Sequence, residues 1–149
     1  MIDAIRAKTL LHEANHTCVL CRGDVTHVSD RIGIAPMMEF LDAGLELRGF
    51  CAADRIVGKA AALLFVLAGV CAVYADVMSE NALEVLNRNG IKASYNTLTP
   101  YIINRKGEGP CPMELAVRDI DDPEVARAAI RETLRNLRRS QEEDQHEKQ

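Results

Sequence analysis

DRIVGKAAALLFVLAGVCAVYADVMS, residues 54–79, decides how the rest of the chain is read. From Ile56 to Ala75 it carries a single charge, Lys59, and so invites comparison with a membrane span. Gly58 and Gly69 interrupt it, however, and a helix of about 12 residues is too short for a hydrocarbon layer of about 30 Å. Asp54 reads as an N-cap for an apolar helix running to about Leu67, with Gly69 as its stop. Such a helix has to be covered on more than one side. Val70 to Val77 follows without alternation, the pattern of a central strand buried on both faces. Ser79 then caps a helix that turns Ala82, Leu83, Val85 and Leu86 inward and ends at Asn89-Gly90. Buried helix, buried strand and amphipathic helix in succession mark an α/β domain.

Working outward, Asp3 to Ala14 places Ala4, Ala7, Leu11 and Ala14 on one helical face. The β-favouring run Thr17 to Arg22, the turn Gly23-Asp24 and the strand Val25 to Ser29 form a hairpin. Pro36 opens a short helix to Ala43, which Gly44 stops, and Leu45 to Ala53 is irregular or extended. Beyond the central region, Ile91 to Tyr95 and Tyr101 to Arg105 are the fourth and fifth strands. Pro112 and Pro123 each sit at a helix start, and Val125, Ile130, Leu134 and Leu137 recur at helical spacing. Two helix-linked strands imply a parallel pair beside the antiparallel hairpin. The expected architecture is a three-layer α/β/α domain over residues 1–139, built on a mixed five-stranded sheet. From Ser140 the tail has no apolar residue and is expected to be disordered over 140–149.

The 149 residues suit one domain, and 48% hydrophobic with 27% charged residues is ordinary for a globular protein. A net charge of −4 gives no basic face for nucleic acid. Arg127, Arg131, Arg135, Arg138 and Arg139 are interleaved with acids and read as a solvated face. Five cysteines, several within apolar runs, read as buried thiols. With no secretory signal in the first residues, they place the chain in the cytoplasm. Cys18 and Cys21 have metal-ligand spacing, but on a strand residues three apart point to opposite faces.

Ile34-Ala-Pro-Met-Met, Asp54-Arg-Ile-Val-Gly-Lys-Ala-Ala-Ala, Val73-Tyr-Ala-Asp-Val-Met-Ser, Asn104-Arg105 and Cys111-Pro-Met-Glu114 together resemble the bacterial and archaeal family called domain of unknown function 1893. The resemblance spans roughly residues 3 to 130 and implies a cytidine deaminase-like fold. Active relatives on that fold hold Zn²⁺ with a His or Cys at one helix start, a catalytic Glu, and a Pro-Cys-x-x-Cys at the next. The corresponding starts here read Val57-Gly-Lys-Ala-Ala-Ala and Val77-Met-Ser-Glu-Asn-Ala. If Ser79 and Ala82 stand at the two Cys positions, neither is a zinc ligand, and hydrolytic deamination loses both its metal-bound water and its proton shuttle. No metal and no other cofactor is expected.

Candidate ligand contacts are Asp54, Lys59, Ser79, Asn104, Arg105 and Cys111. Lys59 either snorkels to solvent or holds a phosphate or carboxylate at the strand ends. Ser79 and Asp54 are caps first, although a helix start also offers N–H groups to an anion. Arg105 suits bidentate anion recognition from a loop. Cys111, at a helix start, is either a packed cap residue or a thiolate nucleophile. Glu114 is placed for a capping box with the start of its own helix. Gly107-Glu-Gly109 matches no phosphate-binding fingerprint. The expected function is binding of a small anionic or nucleotide-like ligand, with no nucleic acid and no membrane as partner. The alternatives are a metal-independent enzyme using Cys111 or Lys59, and an assembly domain forming homo-oligomers.

Overall fold

The computed structural model describes residues 2–104, 107 and 109–147. Helix α1 (Ile2–Glu13) leads into the hairpin β1 (Cys18–Arg22) and β2 (Val25–Ser29), then α2 (Ala35–Asp42). Strand β3 (Cys51–Val57), helix α3 (Lys59–Ala68), strand β4 (Ala72–Ser79), helix α4 (Glu80–Arg88) and strand β5 (Lys92–Thr99) follow. The short α5 (Pro112–Val117) and the long α6 (Pro123–Glu147) complete the chain.

The five strands form one mixed sheet in the order β2-β1-β3-β4-β5. β1 is antiparallel to both β2 and β3, whereas β3, β4 and β5 run parallel, joined by the crossover helices α3 and α4. Alternation divides the side chains between two cores. Cys18, Leu20, Ala52, Val73 and Ala75 meet the six buried residues Ala60 to Phe65 of α3, together with α4 and α6. Val19, Cys21, Ala53 and Tyr74 point the other way, against Ala7 and Leu11 of α1. Cys18 and Cys21 thus lie on opposite faces of β1, as strand geometry requires.

Three expectations are corrected. Asp54 does not cap α3; it lies inside β3, paired with Cys18 on one side and Ala75 on the other. The helix starts five residues later, with extended Gly58 as its N-cap. Cys-Ala-Ala-Asp is buried on both faces, so the alternation that signals a strand is missing, and Ala and Asp are poor strand formers. Conversely, Tyr101–Ile103 adds no strand to the sheet. Beyond β5 it folds back on itself through a single bridge, Ile103 to Pro110, and Tyr101 stays exposed. The tail does not begin at Ser140, because α6 continues to Glu147. No Gly or Pro interrupts Gln141–Glu147, and each added residue of a helix already nucleated gains a backbone hydrogen bond.

No described helix is long and apolar enough to cross a membrane. Gly69 ends α3 in the left-handed conformation, φ 79°, returning its N–H to Phe65 and Val66.

Candidate functional site

The first turn of α3 brings Lys59 together with Glu114, a residue 55 positions further along the chain. An α-helix begins with backbone N–H groups that have no partner within the helix, and Gly58 has no side chain to cap them. The partner comes from far along the chain. Glu114 of α5 accepts from Lys59 N with Oε1 at 2.7 Å and from Ala60 N with Oε2 at 2.9 Å. One carboxylate thus covers two donors at the positive end of a ten-residue helix. Glycine is required for this approach: a Cβ on residue 58 would lie 2.2 Å from Glu114 Oε1. The capping box expected within α5 is therefore not what Glu114 makes.

Lys59 neither snorkels freely nor stands open. It is buried, its Nζ donating to the Arg118 carbonyl at 3.0 Å and standing 3.5 Å from Asp121. Both partners lie between α5 and α6, so Glu114 and Lys59 form two halves of one clasp holding that segment over the start of α3. Ser79 is the N-cap of α4, as its position suggested: its Oγ accepts from Ala82 N at 3.2 Å and donates to the Asn81 side chain.

Cys111 is the half-buried N-cap residue of α5, extended, without a side-chain cap bond, and its N–H donates to Ile102 at 3.2 Å. Asn104 closes a loop through its backbone, donating to Gly109 O at 2.7 Å and accepting from Gly107 N at 3.0 Å. Arg105 lies outside the described residues. The structure therefore gathers Lys59, Glu114 and the segment following Cys111 at α3, sets Ser79 at the start of neighbouring α4, and leaves Asp54 apart inside the sheet.

Asp54 is buried beside Cys18, with its Oδ1 accepting from Arg55 N at 2.7 Å. Burial pushes its carboxyl up to about 7, against the pull of the Arg55 and Ile56 N–H groups and the Cys18 thiol. The same neighbourhood raises Cys18 well above the usual thiol range, first by burial and then by Asp54.

A second polar cluster had no counterpart in the sequence reading. Asp76 of β4 accepts from His12 Nε2 at 2.7 Å, Tyr74 OH at 2.8 Å and Arg55 Nη1 at 3.1 Å. Arg55 also donates to the carbonyls of Leu11 at 2.8 Å and His16 at 3.0 Å, closing the C-terminus of α1. Burial works to raise Asp76, but the bonds from His12, Tyr74 and Arg55 outweigh it and hold the carboxyl below its ordinary range. The available signal was the presence of Arg55 and Asp76 in largely apolar strands, where charge has to be paired.

Open α/β sheets form a ligand crevice where successive helices leave on opposite faces. Here α3 and α4 share one face and one core, so no such crevice separates β3 from β4. Among the described residues, no three His, Cys, Asp or Glu side chains are grouped to hold a metal ion.

No curated protein matches the chain. A crystal structure of a DUF1893 family protein (TM1506) from Thermotoga maritima is similar to it, with a TM-score of 0.79, 28% identity and coverage of 91% of each chain. Residues 6–134 match the family described as domain of unknown function, DUF1893. That match takes in every strand, α2 to α5, α1 from Arg6 and the first half of α6, to Leu134, and the chain belongs to the DUF1893 family.

Proposed function

We propose that this protein is a deaminase-like scaffold without a hydrolytic metal centre, which binds a small anionic, nucleotide-like ligand at the start of α3. The observation that carries the reading is the grip on Glu114, whose two carboxylate oxygens are each held by a separate helix N–H. An internal carboxylate acts there as a stand-in for the ligand's carboxylate or phosphate. Glycine at 58 keeps the approach open, and the same helix start carries Lys59, whose ammonium, held by the Arg118 carbonyl and Asp121, a stronger anion can recruit. Binding then displaces Glu114 and loosens α5, a helix of only six residues.

The cytidine deaminase-like assignment rests on the mixed sheet with two helix-linked parallel crossovers. Zinc chemistry does not suit the residues at the two helix starts. Gly58, Lys59 and Ala60 offer no soft donor, and Ser79 is committed to Ala82 and Asn81. Five unpaired thiols fit a reducing compartment, the cytoplasm.

Thermal unfolding in the presence of inorganic phosphate, acetate and nucleoside monophosphates tests the reading. Glu114→Ala, with its amides exposed, should be stabilised at lower anion concentration than the wild type, and Lys59→Ala should weaken the response of both. If no anion stabilises either protein, the reading is wrong.

A second reading, self-assembly, is favoured by β5, a sheet edge exposed along most of its length with one charge, Lys92, in Lys92–Thr99. A mass in solution above that of one chain, lost in Thr97→Pro, would support it.

A further inference from the structure

Three of the five thiols meet at one end of the sheet, at the starts of β3 and β4, opposite to the Glu114 clasp. Cys21 and Cys51 face each other across the β1–β3 pair. Cys71 immediately precedes Ala72, the residue that pairs with Cys51 in β4. The Cys51 and Cys71 sulfurs are 3.6 Å apart. Their environments differ: Cys51 is 6% exposed and Cys21 fully buried, whereas Cys71 is open to solvent. The Cys71 sulfur also lies 3.2 Å from the Gly49 carbonyl and 3.5 Å from that of Phe50, contacts that fix it beside Cys51.

We propose that Cys71 and Cys51 are a reversible thiol–disulfide pair, with exposed Cys71 as the attacking thiol and buried Cys51 as the resolving one. The oxidant is a low-molecular-weight disulfide such as oxidised glutathione. The Cys71 thiolate attacks one glutathione sulfur, that S–S bond breaks, and one glutathione leaves as a thiolate that takes up a proton. Cys51 gives its proton to solvent and attacks the Cys71 sulfur, expelling the second glutathione. Two protein thiols are oxidised to one disulfide while one glutathione disulfide is reduced to two thiols. Bond formation asks the sulfurs to close from 3.6 Å to about 2.05 Å, a movement within reach of side-chain rotation on adjacent strands. Burial, then the neighbouring Cys71, pushes the Cys51 thiol up to about 11. Cys51 is thereby the slower of the two nucleophiles, and modification of Cys71 removes the part of that shift which Cys71 supplies. The product ties the start of β3 to the start of β4 and closes the segment carrying α3 into a loop.

Reduced full-length protein, incubated with oxidised glutathione and mapped by thiol labelling and mass spectrometry, tests this. Five free thiols should fall to three, with Cys51 and Cys71 in one linked peptide. The unfolding midpoint should rise by roughly 10 °C, as expected for closing a loop of this length, and dithiothreitol should reverse both changes. Cys51→Ala should stop at a stable Cys71–glutathione adduct, Cys71→Ser should leave the other thiols reduced, and Cys21→Ala should oxidise like the wild type. A wild-type protein that stops at the Cys71 adduct overturns the proposal. So does a disulfide to Cys21, a link between two chains through Cys71, or full inertness.

Discussion

On one face of the sheet, α3 buries seven consecutive residues against β3, β4 and the flanking helices α4 and α6, and the contact is almost wholly apolar. On the other face, α1 buries only Ala7 and Leu11. That helix is held at its end by Arg55, which donates to the carbonyls of Leu11 within it and His16 just beyond it and reaches Asp76, itself bonded to His12. One layer is attached by area, which is tolerant of direction; the other by a few directional bonds around a partly buried charge. The first kind of attachment fails by leaving a cavity, the second by leaving an ion without a partner.

The largest effect should come from the apolar face. Phe65→Ala, which removes a fully buried ring, should cost about 3–5 kcal/mol in urea unfolding. A loss under about 1 kcal/mol would mean that α3 is less tightly covered than its burial states. Arg55→Ala should follow at about 2–3 kcal/mol, because it takes the guanidinium from Asp76, leaving it only His12 and Tyr74, and removes the donor to the carbonyls of Leu11 and His16. Its signature is local: amide exchange should accelerate through α1 and leave α3 protected. Uniform acceleration across both helices would erase the distinction between the two faces.

The clasp on α3 gives the next effect. Glu114→Ala and Gly58→Ala should each lower stability by about 1–2 kcal/mol, the first by removing the cap and the second by driving the carboxylate away from it. Since both abolish one interaction, the double variant should lose little more than either single one; additive losses would separate Gly58 from Glu114.

Buried Asp54 and half-buried Asp76 should oppose each other in pH. Asp54, raised by burial from 3.8 to about 7, binds its proton more tightly in the folded chain. Its contribution is present below pH about 4 and is lost as the pH rises to about 7, with a slope approaching 1.4 kcal/mol per pH unit. Asp76 is lowered instead, so its contribution is present above the ordinary carboxyl range and is lost as the pH falls below it. Asp54→Asn should flatten the decline between pH 4 and 7 in a series of urea titrations; an unchanged profile would show that Asp54 ionises in the folded state without penalty.

The smallest effect belongs to the outer layer. Asp42 of α2 receives Arg127 at 2.7 Å and Arg131 at 2.6 Å, both from α6. Hydrogen bonds from Arg131 and Arg127 pull its carboxyl down to about 2. Asp42 is exposed and both arginines are half-buried at the surface, so Asp42→Ala should cost at most about 1 kcal/mol, and less in 1 M salt. An effect that salt does not reduce would place the pair deeper in the fold than its exposure indicates.

Much of the fold was legible before any coordinates. The hairpin turn at Gly23-Asp24, the stop at Gly69, the cap at Ser79 and the helix starts at Pro112 and Pro123 all stand where local chemistry put them. The reading failed at β3, whose burial on both faces removes the periodic signal, and at Tyr101–Ile103, where apolar content resembled a strand with no neighbour to pair with. Of the candidate site, Lys59 was legible as the single charge of an apolar helix, and Ser79 because it stands at a helix start. Glu114 was noticed for a local role, while Asp76 was passed over.

Sequence alone determined the α/β class, the helix limits set by Gly, Pro and Ser, and the absence of a Cys, His or Glu ligand set at the starts of α3 and α4. Those are properties of neighbouring residues, and propensity, capping and side-chain chemistry act over a turn or less. Tertiary structure decided that Glu114 caps a helix 55 residues away in the chain, that Lys59 is clasped by the segment before α6, and that Arg55 and Asp76 meet at the end of α1. Such contacts arise only when the sheet and its two cores have formed, because each buried polar group must then find its partner among whatever groups packing has brought within hydrogen-bond reach.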